Sequence, residues 1–142
     1  MTNHVLCAID LTHLEAEKPL LRRAAELADF YGASLSVVTV IPDYGMSIVG
    51  SFFQEGTMKA AAASASEQLH AFVADTLPGV DAVQHIVEVG TAYEQILDAI
   101  ERSKADLVVI GAHKPNLMDK LQGPNSSRVA RKAPCSVLIV RD

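Results

Sequence analysis

Several features that mark specialised classes of protein are scarce in this chain. It has only two cysteines, and no run approaches the roughly 20 apolar residues needed to span a bilayer. Its 12 Lys and Arg residues are outnumbered by 17 Asp and Glu, giving a net charge of −5, and no basic stripe occurs. A role at nucleic acid or at a membrane surface therefore has little electrostatic support.

The two cysteines, Cys7 and Cys135, both fall in apolar runs that are typical of strands. Neither belongs to a CxxC pair or has a His at metal-ligand spacing, so we predict two reduced core residues. The first residues, MTNHVLCAIDLT, place no basic stretch before a long apolar run. We therefore expect no signal peptide, and a soluble, cytoplasmic protein.

Apolar residues, in contrast, are plentiful, at 49% of 142 residues. This length predicts one domain, residues 1–142, that buries roughly two-thirds of its unfolded surface. Short β-branched runs predict five strands, at 4–10, 34–41, 82–90, 106–113 and 135–142. Apolar spacing of three and four residues predicts four helices, at about 18–32, 58–77, 91–104 and 124–132.

The helix boundaries rest on capping signals. Thr57 is a candidate N-cap, and Thr91 with Glu94 forms a capping-box pattern. Thr12 and Glu15 form a similar pattern, but a helix starting there would enclose Pro19, which costs about 3 kcal/mol in a helix interior. We therefore predict that the first regular helix begins near Lys18 and that residues 11–17 form a turn.

The order of elements predicts an α/β fold with an open, doubly wound parallel sheet of five strands flanked by four helices. Ligands of such sheets bind outside the carboxyl ends of the strands, at the switch in strand order. This edge carries Asp10, residues 40–43, Gly90 and residues 111–125. A binding site is expected there.

Familiar motifs of this fold class are missing. No G-x-G-x-x-G follows the first strand, and neither a Walker A loop nor a G-x-S-x-G elbow occurs. The paired acids of a receiver domain and the phosphate loop of a flavodoxin are also missing. The histidines His4, His13, His70 and His85 are dispersed without metal-ligand spacing. No nucleophile or acid–base pair emerges, which favours a binding module over an enzyme.

One loop remains as a candidate site, IGAHKPNLMDKLQGPNSS at 110–127. Gly111 permits close approach of a ligand, Gly123 permits positive φ, and Lys114 supplies a cation. The backbone N–H groups of Asn125 and Ser126 would open the last helix, where the helix dipole favours anions. The alternative is an ordinary surface loop in which Gly-Pro-Asn merely starts a helix.

Three stretches resemble the universal stress protein family, and the resemblance covers essentially the whole chain. They are HVLCAID at the start, VEVGTAYEQILDAIERSKADLVVIGAH in the middle and VARKAPCSVLIVR at the end. The resemblance implies an adenine nucleotide alpha hydrolase-like, Rossmann-like fold. It also implies a stress-response and signalling module that binds ATP, or ADP or AMP, at the ends of the first, second and fourth strands, with at most slow hydrolysis.

Carried over position by position, the resemblance implies a set of nucleotide-binding residues: Asp10, Val40, Gly111, His113, Lys114, Gly123, Asn125 and Ser126. The pattern is a variant, because Lys114 stands where the family has its second glycine and Pro124 stands where it has Ser or Thr. Asp10 and Asp43 could hold Mg²⁺ beside the phosphates. The alternative is a nucleotide-free interaction module of the same fold, in which these two changes mark a lost or repurposed site.

Two further features suggest assembly. The 42–57 loop is long and apolar, and a loop of this kind usually covers a ligand or a neighbouring subunit. The last strand should lie at an edge of the sheet, which needs a partner or protection. The family resemblance implies a homodimer through that strand, with a tetramer as its doubled form.

Overall fold

Five parallel strands form the centre of the fold. The computed structural model describes residues 2–42, 55–112 and 125–141. The strands are β1 His4–Ala8, β2 Ser34–Ile41, β3 Val83–Val89, β4 Leu107–Gly111 and β5 Ser136–Val140. They pair in the order β3-β2-β1-β4-β5, every pair in parallel. The predicted open parallel sheet is confirmed, and β5 lies at an edge as expected.

Helices cover both faces of the sheet. Within the described ranges there are four α-helices, as predicted: α1 Leu14–Tyr31, α2 Glu55–Thr76, α3 Ala92–Ser103 and α4 Asn125–Lys132. One hydrophobic cluster joins α1 and α2 to one face, and a second joins α3 and α4 to the other. Because both faces of β1 are covered, its central residues Val5, Leu6 and Cys7 are fully buried.

The start of the first helix was predicted wrongly. A short 3₁₀-helix spans Leu11–His13 and leads directly into α1, which encloses Pro19. The earlier start lets Leu11 and Leu14 pack against the core cluster under α1 and α2. This burial offsets the hydrogen bond that proline cannot donate. Residues 14–17 are therefore helical and not part of a turn.

The boundaries around the second and third helices also correct the capping predictions. Thr57 is not an N-cap, because α2 already includes Glu55, so the predicted 42–57 loop is too long by three residues. Thr91 is the N-cap residue of α3, as predicted, but its side chain makes no capping hydrogen bond. The remainder of the apolar loop, residues 43–54, lies outside the described residues.

The two cysteines differ in environment although both are free thiols. Cys7 is buried in β1, whereas Cys135 is half-buried at the start of the last strand. Burial raises the pKa of both thiols, so neither is an activated thiolate. Among the helices of the described ranges, none combines the length and apolar character needed to cross a membrane.

Candidate functional site

A crevice opens where β1 and β4 separate at their carboxyl ends. The pairing between these strands ends at Cys7 and Val109. Beyond that point β1 continues along β2, with the Ile9 N–H donating to Val38 O at 2.8 Å. Likewise β4 continues along β5, with the Ala112 N–H donating to Val140 O at 2.7 Å. Because the chain runs from β1 to one side of the sheet and later from β4 to the other, this is the switch point at which doubly wound sheets bind ligands.

Glu17 of α1 reaches across this crevice. Its Oε1 accepts the backbone N–H of Asp10 at 2.8 Å, at the end of β1. Its Oε2 lies 3.4 Å from the position that a Cβ of Gly111 would occupy, at the end of β4. The charge also acts on Cys7, whose pKa is raised first by burial and then by Glu17. The carboxylate therefore borders both walls of the crevice.

Asp10 uses its own side chain to cap the turn that follows β1. Its Oδ1 accepts the Thr12 backbone N–H at 2.9 Å and the Thr12 hydroxyl at 2.6 Å. His13 lies nearby, with Nε2 4.0 Å from Oδ2. The Asp10 side chain nevertheless remains 55% exposed. It can thus stabilise the 3₁₀-helix while keeping an oxygen accessible at the edge of the sheet.

Gly111 is a glycine that none of its described neighbours requires. Its φ lies outside the left-handed region, so its backbone conformation is open to other residues. A Cβ built there would approach Glu17 Oε2 to 3.4 Å and Leu20 Cδ2 to 3.8 Å, which are ordinary van der Waals contacts. Neither conformation nor packing among the described atoms explains the missing side chain. Close approach of a ligand would explain it.

The other described members of the predicted set are Val40, Asn125 and Ser126. Val40 is half-buried near the end of β2, where it is paired with Glu88 of β3. Asn125 and Ser126 are the first two residues of α4, the former exposed and the latter buried. The fold thus brings Asp10, Val40 and Gly111 to neighbouring strand ends.

Three predicted ligand residues, His113, Lys114 and Gly123, lie outside the described residues, as does Asp43. In the described part of the chain, no group of three or more His, Cys, Asp or Glu side chains is arranged to hold a metal ion. The Mg²⁺ prediction therefore rests on the sequence alone.

Glu17 is the crevice residue that sequence reasoning missed. The sequence predicts a turn at this residue, because Pro19 argues against an earlier helix start. The signal was present nonetheless. With α1 beginning at Leu14, Glu17 extends the inward stripe of the helix, three residues before Leu20 and four before Leu21, both of which are buried. An acid on an inward stripe beside a strand end is a candidate for a specific role.

The strand order and the switch point define a doubly wound α/β protein. The universal stress protein family model matches residues 1–141. Universal stress protein A homolog 1 of Coxiella burnetii is 31% identical over 143 residues, covering 96% of this chain and 94% of the relative. The chain therefore belongs to the universal stress protein family.

Solved structures agree on the fold. Universal stress protein UspA from Lactobacillus plantarum superposes with a TM-score of 0.70 at 24% identity, covering 99% of this chain and 98% of the other. A universal stress protein in complex with cAMP superposes with a TM-score of 0.63 at 20% identity, covering 99% and 97%. At these identities the likeness extends to the fold and not to the ligand.

Proposed function

We propose that this protein binds an adenine nucleotide, preferentially ATP, at the carboxyl edge of β1, β2 and β4. It would act as a homo-oligomeric module of stress response and signalling, and not as a dedicated enzyme. The proposed nucleotide-binding residues are those predicted from the sequence: Asp10, Val40, Gly111, His113, Lys114, Gly123, Asn125 and Ser126.

Gly111 carries the proposal. It lies on one wall of the crevice at the switch point, and neither its backbone nor its packing against the described residues requires glycine. A ligand that lies against β4 supplies the missing reason, because any side chain at this position would occupy part of the space beside the crevice. Family membership supports the same conclusion, since a related universal stress protein has been solved in complex with cAMP, which is itself an adenine nucleotide.

The homo-oligomer is supported by the free edge of the sheet. β5 lies at the end of the strand order, with β4 as its neighbour. Its central residues Val137, Leu138 and Ile139 are only half-buried. An edge strand with apolar side chains needs a partner or protection, and a second copy of the chain would provide it.

The nucleotide can be sought directly in the purified protein. Protein prepared without added nucleotide is denatured, and the released small molecules are identified by mass spectrometry. Nucleotide-free protein is then titrated calorimetrically with ATP, with and without Mg²⁺, and with GTP as the control. We expect released adenine nucleotide or saturable ATP binding. A protein that releases no nucleotide and gives no heat with ATP would refute the proposal.

A nucleotide-free interaction module of the same fold is the second candidate. It is favoured by Pro124, which lacks a backbone N–H just before α4, and by Glu17, which accepts the Asp10 N–H at the crevice. Both features reduce the number of donors available to a phosphate. The same experiment distinguishes the candidates, because only the first predicts a bound adenine nucleotide.

A further inference from the structure

We infer that the surface between α3 and α4 forms a second binding site, which takes a small anion that carries phosphate. The site consists of Arg128, Arg131 and Lys132 of α4 together with Tyr93 at the start of α3. These helices cover one face of the sheet, whereas the nucleotide is proposed to bind at the carboxyl edge of β1, β2 and β4. The inference therefore does not depend on the proposed function.

The four side chains line one cavity of about 420 Å³. Sites for small ligands commonly have volumes of about 300 to 1,000 Å³, so the space suits a small molecule. Tyr93 and Arg128 are half-buried, while Arg131 and Lys132 are exposed. The cavity therefore combines two side chains that the protein partly encloses with two cations that a ligand can reach from solvent.

The ring of Tyr93 brings two of the cations together. Arg128 Cζ lies 4.9 Å from the ring centroid and Lys132 Nζ lies 5.4 Å from it, both within the reach of a cation–π interaction. The two residues are four positions apart on α4, so they share one side of the helix. Two like charges beside one ring repel each other, and a bound anion would relieve this repulsion. The arrangement favours an anion at this surface.

Part of the cluster has a simpler explanation in the helix itself. Arg131 and Lys132 occupy the last turn of α4, where cations complement the helix dipole without any ligand. That reason does not extend to Arg128, which precedes the last turn, or to the ring that it shares with Lys132.

Nearby acids do not account for the cluster either. Among the described residues, no ion pair includes Arg128, Arg131 or Lys132. Glu94 follows Tyr93 directly, and its Oε1 accepts the Tyr93 hydroxyl at 3.3 Å. This contact involves the hydroxyl group and none of the three cations. Neither the helix dipole nor an ion pair between described residues therefore explains why Arg128 and Lys132 lie at one ring.

The kinds of cation indicate the class of ligand. Arginine has a planar fork that can donate two hydrogen bonds to one phosphate group, and lysine adds a point charge. Three cations can balance the two or more negative charges of a phosphate ester or a diphosphate. A nucleic acid would require a longer basic surface, with about 6 to 10 phosphate contacts, and the chain as a whole has a net charge of −5. A small molecule that carries phosphate is the ligand that fits.

Inorganic pyrophosphate is the probe, because it presents two adjacent phosphates without a base or a sugar. Its dissociation constant is measured by calorimetry for the wild-type protein, Arg131→Gln, Lys132→Gln and the double variant, with succinate as the control ligand. We expect saturable binding of pyrophosphate and weaker binding of the dicarboxylate succinate. Each single substitution should weaken pyrophosphate binding about fivefold, and the double variant more than tenfold, since each removes one charge-assisted contact.

Arg22→Gln is the matched control. Arg22 is exposed on α1, which covers the opposite face of the sheet, so the substitution changes the net charge by the same amount away from the cluster. It should bind pyrophosphate as the wild-type protein does. The affinity for ATP separates the two sites, because Arg131→Gln and Lys132→Gln should leave it unchanged. Gly111→Ala should weaken ATP binding and leave pyrophosphate binding unchanged.

The inference about this cluster is overturned if the wild-type protein shows no saturable binding of pyrophosphate at millimolar concentration. It is also overturned if all variants bind the probe alike, or if Gly111→Ala alone weakens its binding, because the probe then occupies the nucleotide site. None of these results contradicts the proposed function. Conversely, a protein that binds pyrophosphate through the cluster but binds no ATP would support this inference and refute the proposed function. Both substituted residues are exposed, and circular dichroism checks that the variants fold.

Discussion

A glycine follows β3 and another glycine ends β4, and the two differ in what requires them. Gly90 follows β3 with φ +146°, a conformation that is accessible to glycine and strained in other residues. Its N–H donates to Ile41 O at 2.9 Å, and a Cβ would lie 2.9 Å from Gln95 Nε2. Gly111 ends β4 with an unstrained backbone and with room for a methyl group. The described residues give a reason for Gly90 and give none for Gly111.

The regions around the two glycines differ in the same way. Near β3 the polar side chains make contacts within the protein, such as the stacked rings of His70 and His85, whose centroids are 3.7 Å apart. At the end of β1, by contrast, Glu17 accepts the Asp10 N–H and the Asp10 side chain stays 55% exposed. The comparison teaches that a residue is a candidate for ligand contact when neither backbone conformation nor packing explains its type.

The largest expected effect is a loss of stability when Gly90 is substituted, which is not expected for Gly111. Gly90→Ala forces a side chain into a strained backbone conformation, while the Gln95 amide can move aside. We expect the free energy of unfolding to fall by about 2 to 3 kcal/mol, and Tm by about 10 °C. Calorimetry or circular dichroism checks this. Well below the new Tm, the affinity for ATP should remain that of the wild-type protein, so a large loss of affinity would contradict a purely structural role.

The matched substitution at Gly111 should leave stability intact and weaken ATP binding. Gly111→Ala adds a methyl group that the fold accommodates, so the free energy of unfolding should be unchanged or higher by up to about 1 kcal/mol. The same methyl group should crowd a nucleotide that lies against β4 and weaken ATP binding about tenfold. Both variants are measured in the same two assays. If Gly111→Ala bound ATP as tightly as the wild-type protein, Gly111 would no longer support the proposed function.

The smallest expected effect concerns the histidine stack on the β3 side. The pKa of His85 is lowered, first by burial and then by the nearby charge of His70, although a hydrogen bond involving the Val83 backbone opposes the shift. The folded state therefore takes up a proton less readily than the unfolded state. Above the usual pKa of about 6.5 the group has no effect, and stability is lost as pH falls below that value.

His85→Gln tests this pH dependence. Its free energy of unfolding should decline less between pH 7.5 and 5.5 than that of the wild-type protein. His13→Gln, at a 64% exposed position on the 3₁₀-helix, is the control and should follow the wild-type decline. Parallel profiles for all three proteins would show that the stack does not sense pH in this range.

The fold was predictable from the sequence because its signals are local and repeated. Each strand is a short apolar run, each helix has its own apolar stripe, and alternation of the two determines a parallel sheet. The start of α1 was not predictable in this way, because two local signals competed. Pro19 argued for a late start, and only packing of Leu11 and Leu14 against the core decided for an early one.

The candidate site was predictable to a smaller extent, and for the same reason. Asp10, Val40 and Gly111 follow or end strands, so the parallel arrangement alone brings them to one edge of the sheet. Glu17 lies within a helix, and its role depends on the direction in which one turn of that helix faces. That direction depends on the start of α1 and could not be read from residue types.

The sequence by itself determined the α/β architecture, the family and the edge of the sheet where a ligand would bind, because strand and helix periodicity depend on neighbouring residues. Only the tertiary structure shows that the backbone conformation of Gly90 favours glycine while that of Gly111 does not. It also shows that Glu17 lies beside the ends of both β1 and β4. The physical reason is that the role of each glycine and the position of Glu17 depend on backbone angles and on atoms distant in sequence. The distance from Glu17 Oε2 to the Gly111 side-chain position, 3.4 Å, connects residues 94 positions apart.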